Sequence, residues 1–121
     1  MKFIMSFKYA FQGLMHVFKT QRNMQVHVFI AILVALAAYA FSITTTEWLV
    51  VILFYALVLA AEVINTAIEK LVDLVHPEIN PEAGKIKDIA AAAVLLTAIM
   101  AIIAGLIIFI PYLQIFFNGA D

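Results

Sequence analysis

Three stretches of this chain, 24–43, 48–61 running on into a mixed segment, and 89–110, are apolar almost without interruption. A bilayer core of about 30 Å is crossed by about 20 apolar residues in a helix, and only helices or closed barrels satisfy every backbone polar group there. The chain is therefore expected to be an all-α integral membrane protein. Its composition agrees, with 66% hydrophobic and 12% charged residues, against about half and a quarter in a soluble domain. No repeat, low-complexity linker or domain boundary interrupts it. Residues 1–121 read as a single membrane-embedded domain with spans at about 24–43, 48–75 and 86–112.

All seven basic residues, Lys2, Lys8, Lys19, Arg22, Lys70, Lys85 and Lys87, lie before the first span or around the connection between the second and third. By the positive-inside rule both regions are expected to be cytoplasmic. The opposite side keeps the Thr44-Thr45-Thr46-Glu47 turn and the tail ending at Asp121, neither with Lys or Arg. The N-terminus is expected to be retained, because Lys2, Lys8, Gln12 and Lys19 interrupt the first apolar positions and no small-residue cleavage site follows. Within residues 1–20, Phe3, Phe7, Phe11, Leu14 and Phe18 recur at helical spacing with basic and amide residues between them. This predicts an amphipathic surface helix on the cytoplasmic leaflet. The bland alternative is an anchor with no part in chemistry.

The second span carries the main functional clue. Glu62, Asn65, Glu69 and Asp73 stand at i, i+3, i+7 and i+11, one narrow polar stripe on an apolar helix. An unpaired charge in hydrocarbon is costly, so such residues mark a site. From Trp48 to Val75 a helix would run about 42 Å, longer than a bilayer requires. Glu62 then falls near the inner hydrocarbon boundary, with Glu69 and Asp73 at or beyond the headgroups. His76-Pro77 ends the helix, and Pro81 and Gly84 keep the connection irregular before a third span beginning near Ile86. The small residues Ala90–Ala93 that follow permit close approach of a helix or planar ligand.

Several chemistries are excluded. Without cysteine there are no disulfides, iron–sulfur centres or thiolate nucleophiles. A net charge of −1 gives no support to nucleic-acid binding. No phosphate loop or Gly-x-Gly-x-x-Gly occurs, and Gly84-Lys85 is an isolated pair. His16, His27 and His76 lack zinc-like spacing, and His27 reads as an interfacial residue rather than a ligand. What remains is a cluster of Glu62, Asn65, Glu69, Lys87 and Asp88 bracketing one short cytoplasmic loop. Carboxylates hold Mg²⁺ and lysine holds phosphate, a combination that suits a nucleotide. In the structural alternative Glu69 pairs with Lys85 or a neighbour's Lys70, and Asp88 caps the third helix.

The stretch Glu62-Val-Ile-Asn65-Thr-Ala-Ile-Glu69-Lys-Leu-Val-Asp73, followed by Gly84-Lys-Ile-Lys87-Asp88-Ile-Ala-Ala-Ala-Ala-Val94, resembles the prokaryotic diacylglycerol kinase family, which includes the undecaprenol kinases. Phe7-Lys-Tyr-Ala-Phe-Gln-Gly13 and Thr20-Gln-Arg-Asn-Met-Gln-Val-His27 extend the likeness over nearly the whole chain. The resemblance implies three transmembrane helices plus a surface helix, assembled as a homotrimer with sites shared between subunits. It implies an ATP- and Mg²⁺-dependent kinase of a bacterial inner membrane, acting on a lipid alcohol from the cytoplasmic side. By the same likeness Glu62 matches the general base and Asn65 a group that positions the hydroxyl. Glu69 matches a metal ligand and Lys87 a phosphate contact, while Gly84, Glu78 and Asp88 match nucleotide contacts.

One position departs from the pattern. Where many relatives have a second metal-binding glutamate before the first span, this chain has Gln21, a weaker Mg²⁺ ligand than a carboxylate. The texture of the Thr20–His27 and Ile86–Ala93 segments leans toward an undecaprenol rather than a diacylglycerol substrate. The rival of a different class is a non-catalytic helical bundle or cation-conducting oligomer. A pore needs a stripe that stays polar across the bilayer, and residues 48–61 offer only Tyr55. A lipid phosphatase lacks its arginine and histidine clusters here.

Overall fold

In the computed structural model, which describes residues 2–119, four helices follow one another. They are α1 (Lys2–Thr20), α2 (Arg22–Phe41), α3 (Thr45–Val75) and α4 (Pro81–Asn118). The tail at Asp121, expected on the far side of the membrane, lies outside the described residues. Three helices, α2, α3 and α4, are long and apolar enough to cross a membrane. At 1.5 Å per residue they measure about 30, 46 and 57 Å, so α3 and α4 both outrun a hydrocarbon core.

Local chemistry explains where each helix stops. At the end of α2, Ser42 takes a left-handed conformation (φ 53°). This lets the Ser42 N–H reach the Tyr39 carbonyl at 3.1 Å and the Ile43 N–H reach that of Ala38 at 3.2 Å. Thr44 then opens α3 with a reciprocal cap. The Glu47 N–H donates to Thr44 Oγ1 at 3.1 Å and the Thr44 N–H donates to Glu47 Oε1 at 2.9 Å. The Tyr112 hydroxyl donates to the same Oε1, tying α4 to the start of α3.

After α3 ends at His76-Pro77, Asn80 caps α4 through Oδ1, which accepts the Glu82 and Ala83 N–H groups, and Pro81 occupies the first turn. The helix cap is therefore Asn80 and not Asp88, which lies in the second turn of α4. The helix begins ahead of the apolar run because a capped start needs polar residues, whereas hydrocarbon does not. Pro111 interrupts the hydrogen bonding of α4 without ending it.

The hairpin α3–α4 is the spine, α2 packs along α3, and α1 touches α2 and α3. A core at the α2–α3 turn gathers Ala38, Ile43, Val51 and Ile108, with Phe41, Trp48 and Tyr112 around them. Beyond it Val17, Met24, Val58, Ala90 and Val94 are buried too, but many large apolar side chains face outward: Ile52, Leu53, Leu95, Leu96 and Ile102 are all more than half exposed. A belt of this extent suits acyl chains and not water.

Ala38 has no accessible surface at all. Ala38→Leu forces extra methylenes into the α2–α3–α4 contact and is expected to lower stability by about 1–3 kcal/mol. Thermal unfolding in detergent micelles measures the loss, and an unchanged melting temperature would contradict this packing.

Candidate active site

Along α3 the polar stripe runs from buried to exposed. Glu62 is 2% exposed and Asn65 5%, Glu69 is half-buried, and Asp73 is open. A carboxylate buried to that extent is costly unless it is compensated. The nearest compensating group is on α2, where His27 Nε2 stands 3.9 Å from Glu62 Oε2. That gap is too wide for a hydrogen bond. Glu62 Oε2 and Asn65 Oδ1 are accordingly buried with no hydrogen-bond partner among the described residues. The other end of the Asn65 amide is engaged, its Nδ2 donating to Glu69 Oε1 at 3.3 Å. The amide thus holds the half-buried carboxylate of the stripe and leaves its own oxygen free beside the buried one.

These groups form the floor of a groove of about 320 Å³. Asn23, Val26 and His27 of α2 make one wall, and Ala91, Val94, Leu95 and Ala98 of α4 make the other. One wall is entirely apolar, and the floor carries unsatisfied acceptors. Such a groove suits an amphiphile with a hydrogen-donating head.

A second, smaller hollow of about 180 Å³ lies where α3 passes into α4, lined by Asp73, His76, Glu78, Asn80, Gly84 and Lys87 among others. Lys87 Nζ donates to Asp73 Oδ1 there, and Lys85 pairs with Glu82 at 3.4 Å. The Asn80 cap already occupies two N–H groups at the start of α4. Positive charge in this hollow therefore comes from a side chain. A Cβ added to Gly84 would meet nothing within 4 Å. No neighbour in the chain demands glycine at that position, and its absent side chain leaves room above the helix.

The residues singled out from the sequence fall into distinct places. Glu62 and Asn65 line the groove, and Glu69 borders it through Asn65. Gly84, Glu78 and Lys87 meet in the hollow. Asp88 is exposed and lines neither. Gln21 sits at the α1–α2 junction, its amide donating to Thr20 Oγ1 at 3.4 Å, with no hydrogen bond to Glu69. Among the described residues no group of three or more His, Asp or Glu gathers to hold a metal ion.

Of the pairings in the structural alternative, that of Glu69 with Lys85 is not made: Lys85 takes Glu82, while Lys87 takes Asp73. His27, read from the sequence as interfacial, faces Glu62 inside the groove. The signal for it was the i, i+4 spacing of Asn23 and His27, which puts both on one face of α2.

Residues 8–109 match the family described as prokaryotic diacylglycerol kinase. The chain is 36% identical over 112 residues to an undecaprenol kinase of Bacillus subtilis, covering 93% of this chain and 91% of that protein. It is 40% identical over 109 residues to a diacylglycerol kinase of Synechocystis sp., covering 89% of this chain and 62% of that longer protein. A diacylglycerol kinase of Haemophilus influenzae is 32% identical over 107 residues, with 88% and 91% covered. The groove, the acidic stripe and the matched span coincide on one chain, which belongs to the prokaryotic diacylglycerol kinase family.

Proposed function

We propose that this chain is an ATP- and Mg²⁺-dependent kinase that phosphorylates a membrane lipid alcohol at the cytoplasmic face of a bacterial inner membrane, with undecaprenol favoured over diacylglycerol. The observation that carries the reading is Glu62, a buried carboxylate with an unpartnered oxygen at the floor of a half-apolar groove. In this reading the lipid enters between α2 and α4 with its tail along the apolar α4 wall. Its hydroxyl donates to Glu62 Oε2, and Glu62 takes that proton as the oxygen–phosphorus bond forms and the bond from the γ-phosphorus to the bridging oxygen of ATP breaks. Asn65 fixes the hydroxyl and steadies Glu69 by its 3.3 Å hydrogen bond.

Glu69 is half-buried beside the groove and offers one carboxylate. Mg²⁺ is commonly held by one or two carboxylates with phosphate oxygens and water, so this residue fits the ion. Bound there, the ion would supply neutralisation of phosphate charge. Gln21 is the weaker second candidate, as a neutral amide hydrogen-bonded to its neighbour.

Lys87 contacts phosphate once a ligand competes it away from Asp73, and the open face of Gly84 with Glu78 accepts the nucleoside. Asp88, exposed on the next turn, completes the nucleotide contacts from outside the hollow. Positioning and charge neutralisation supply most of the rate in such a transfer.

The lysine distribution supports a cytoplasmic N-terminus and α3–α4 loop, with α1 as a surface helix whose Phe3, Phe7 and Phe11 remain exposed. A homotrimer with shared sites is what the family resemblance implies, and the outward apolar faces leave room for neighbouring subunits as well as lipid. Preference for undecaprenol rests on the relative of that name, which matches this chain over nearly the full length of both proteins.

The test is transfer of labelled phosphate from Mg-ATP to undecaprenol and to diacylglycerol, in separate tubes, by the purified protein in mixed micelles. Transfer to both with undecaprenol faster is the expected result. Faster transfer to diacylglycerol would reverse the substrate assignment, and transfer to neither would leave the non-catalytic bundle.

A further inference from the structure

We infer that His27 is a substrate contact, donating from Nε2–H to the oxygen of the lipid hydroxyl while that hydroxyl donates to Glu62. The inference rests on the kinase reading and adds a residue to it. Its basis is the width of the gap between His27 Nε2 and Glu62 Oε2, 3.9 Å, which is too long for a direct bond. A single oxygen about 2.8 Å from each closes that gap with an angle near 90° at the oxygen, open enough for one bond accepted and one donated. A carboxylate acting as base is an acceptor only, so the group across from it has to be the donor.

The surroundings leave His27 little else to address. From α3 the groove receives Glu62 and Asn65, with Glu69 beyond them; from α2 it receives Asn23; from α4 it receives only Ala91, Val94, Leu95 and Ala98. Glu62 Oε2 is buried and unpartnered, the His27 side chain is 20% exposed, and both residues line the groove, so a ligand there meets His27 and has only a small displacement to make to Glu62. The hydroxyl would be held from two sides. The donor on His27 withdraws electron density only slightly, while the acceptor on Glu62 removes the proton as the new bond to phosphorus forms. His27 keeps its own proton throughout, and the leaving group is ADP.

Two measurements on the full chain in detergent micelles test this. In the first, ¹⁵N-histidine spectra are recorded while farnesol or dioctanoylglycerol is added without ATP. The expected result is that one histidine resonance, missing in His27→Gln, moves with added alcohol while those of His16 and His76 stay. A still His27 resonance with both alcohols would overturn the inference.

In the second, His27→Leu and His27→Gln are compared kinetically. Loss of one donor to a developing alkoxide is expected to lower kcat/KM for the lipid by about tenfold to a hundredfold in His27→Leu. KM for ATP stays unchanged, and His27→Gln, which restores an N–H, recovers most of the loss. Equal losses in both variants, or a matching rise in KM for ATP, would mark His27 as structural and overturn the inference. Phosphate transfer by the wild type with a still resonance defeats this inference alone. A moving resonance with no transfer to any lipid defeats the kinase reading.

Discussion

Glu62→Gln is expected to reduce phosphoryl transfer by about 10²–10⁴-fold, the range for loss of a positioned general base. The replacement keeps the volume of a side chain that is 2% exposed, so the groove keeps its shape. It removes the basic oxygen that has no hydrogen-bond partner among the described residues. The loss should fall on kcat, with KM for ATP unchanged, because the hollow proposed for the nucleotide shares no lining residue with the groove. Stability should move the other way. Removing an incompletely compensated carboxylate from a buried site commonly stabilises a fold, so the melting temperature is expected to equal or exceed that of the wild type. Labelled-phosphate transfer and thermal unfolding on the same preparation read both effects. A folded Glu62→Gln protein with full turnover would rule out Glu62 as the base.

Glu69→Ala is expected to have an effect of comparable size, about 10³-fold on transfer, because phosphate charge neutralisation supplies several kcal/mol in such reactions. Its kinetic signature differs. The Mg²⁺ concentration for half-maximal rate should rise steeply, since no cluster of acids gathers among the described residues to take over. Glu69→Asp should sit between the two, with the carboxylate retained but drawn back by one methylene. The Asn65 amide loses its acceptor in the alanine variant and is free to turn. Rates measured across a Mg²⁺ titration separate this from the Glu62 effect. An unchanged Mg²⁺ requirement in Glu69→Ala would remove Glu69 from the metal site.

Some of this was legible in the sequence because the physics involved is local. Bilayer thickness converts directly into a count of apolar residues, so three long apolar helices could be read from hydropathy. The stripe from Glu62 to Asp73 follows from helical periodicity, and the graded burial along it follows from how far α3 projects past an apolar core. What could not be read depends on which faces meet. His27 and Glu62 lie on different helices, and only the packing of α2 on α3 brings them to 3.9 Å. Lys87 and Asp73 meet because the α3–α4 connection is short and turns back on itself. The start of α4 escaped a hydropathy reading because its cap, Asn80-Pro81, is polar and precedes the apolar run. Gln21 marks a limit of another kind, since a motif comparison flags the missing carboxylate without saying what compensates for it.

With Glu62 and Glu69 in their proposed roles, the rise of α3 between them sets a geometric condition on catalysis. Seven residues separate Glu62 from Glu69, a climb of about 10 Å along the axis. The depth of the lower acid is set by the apolar turns from Trp48 to Ala61 beneath it. In a thicker bilayer the headgroup plane moves away from Glu62, and in a thinner one it moves past it. Acyl-chain length in the surrounding membrane is thus expected to act on the reaction without touching any residue of the proposed site. A chain that works on membrane lipid is in this way also a gauge of the membrane that holds it.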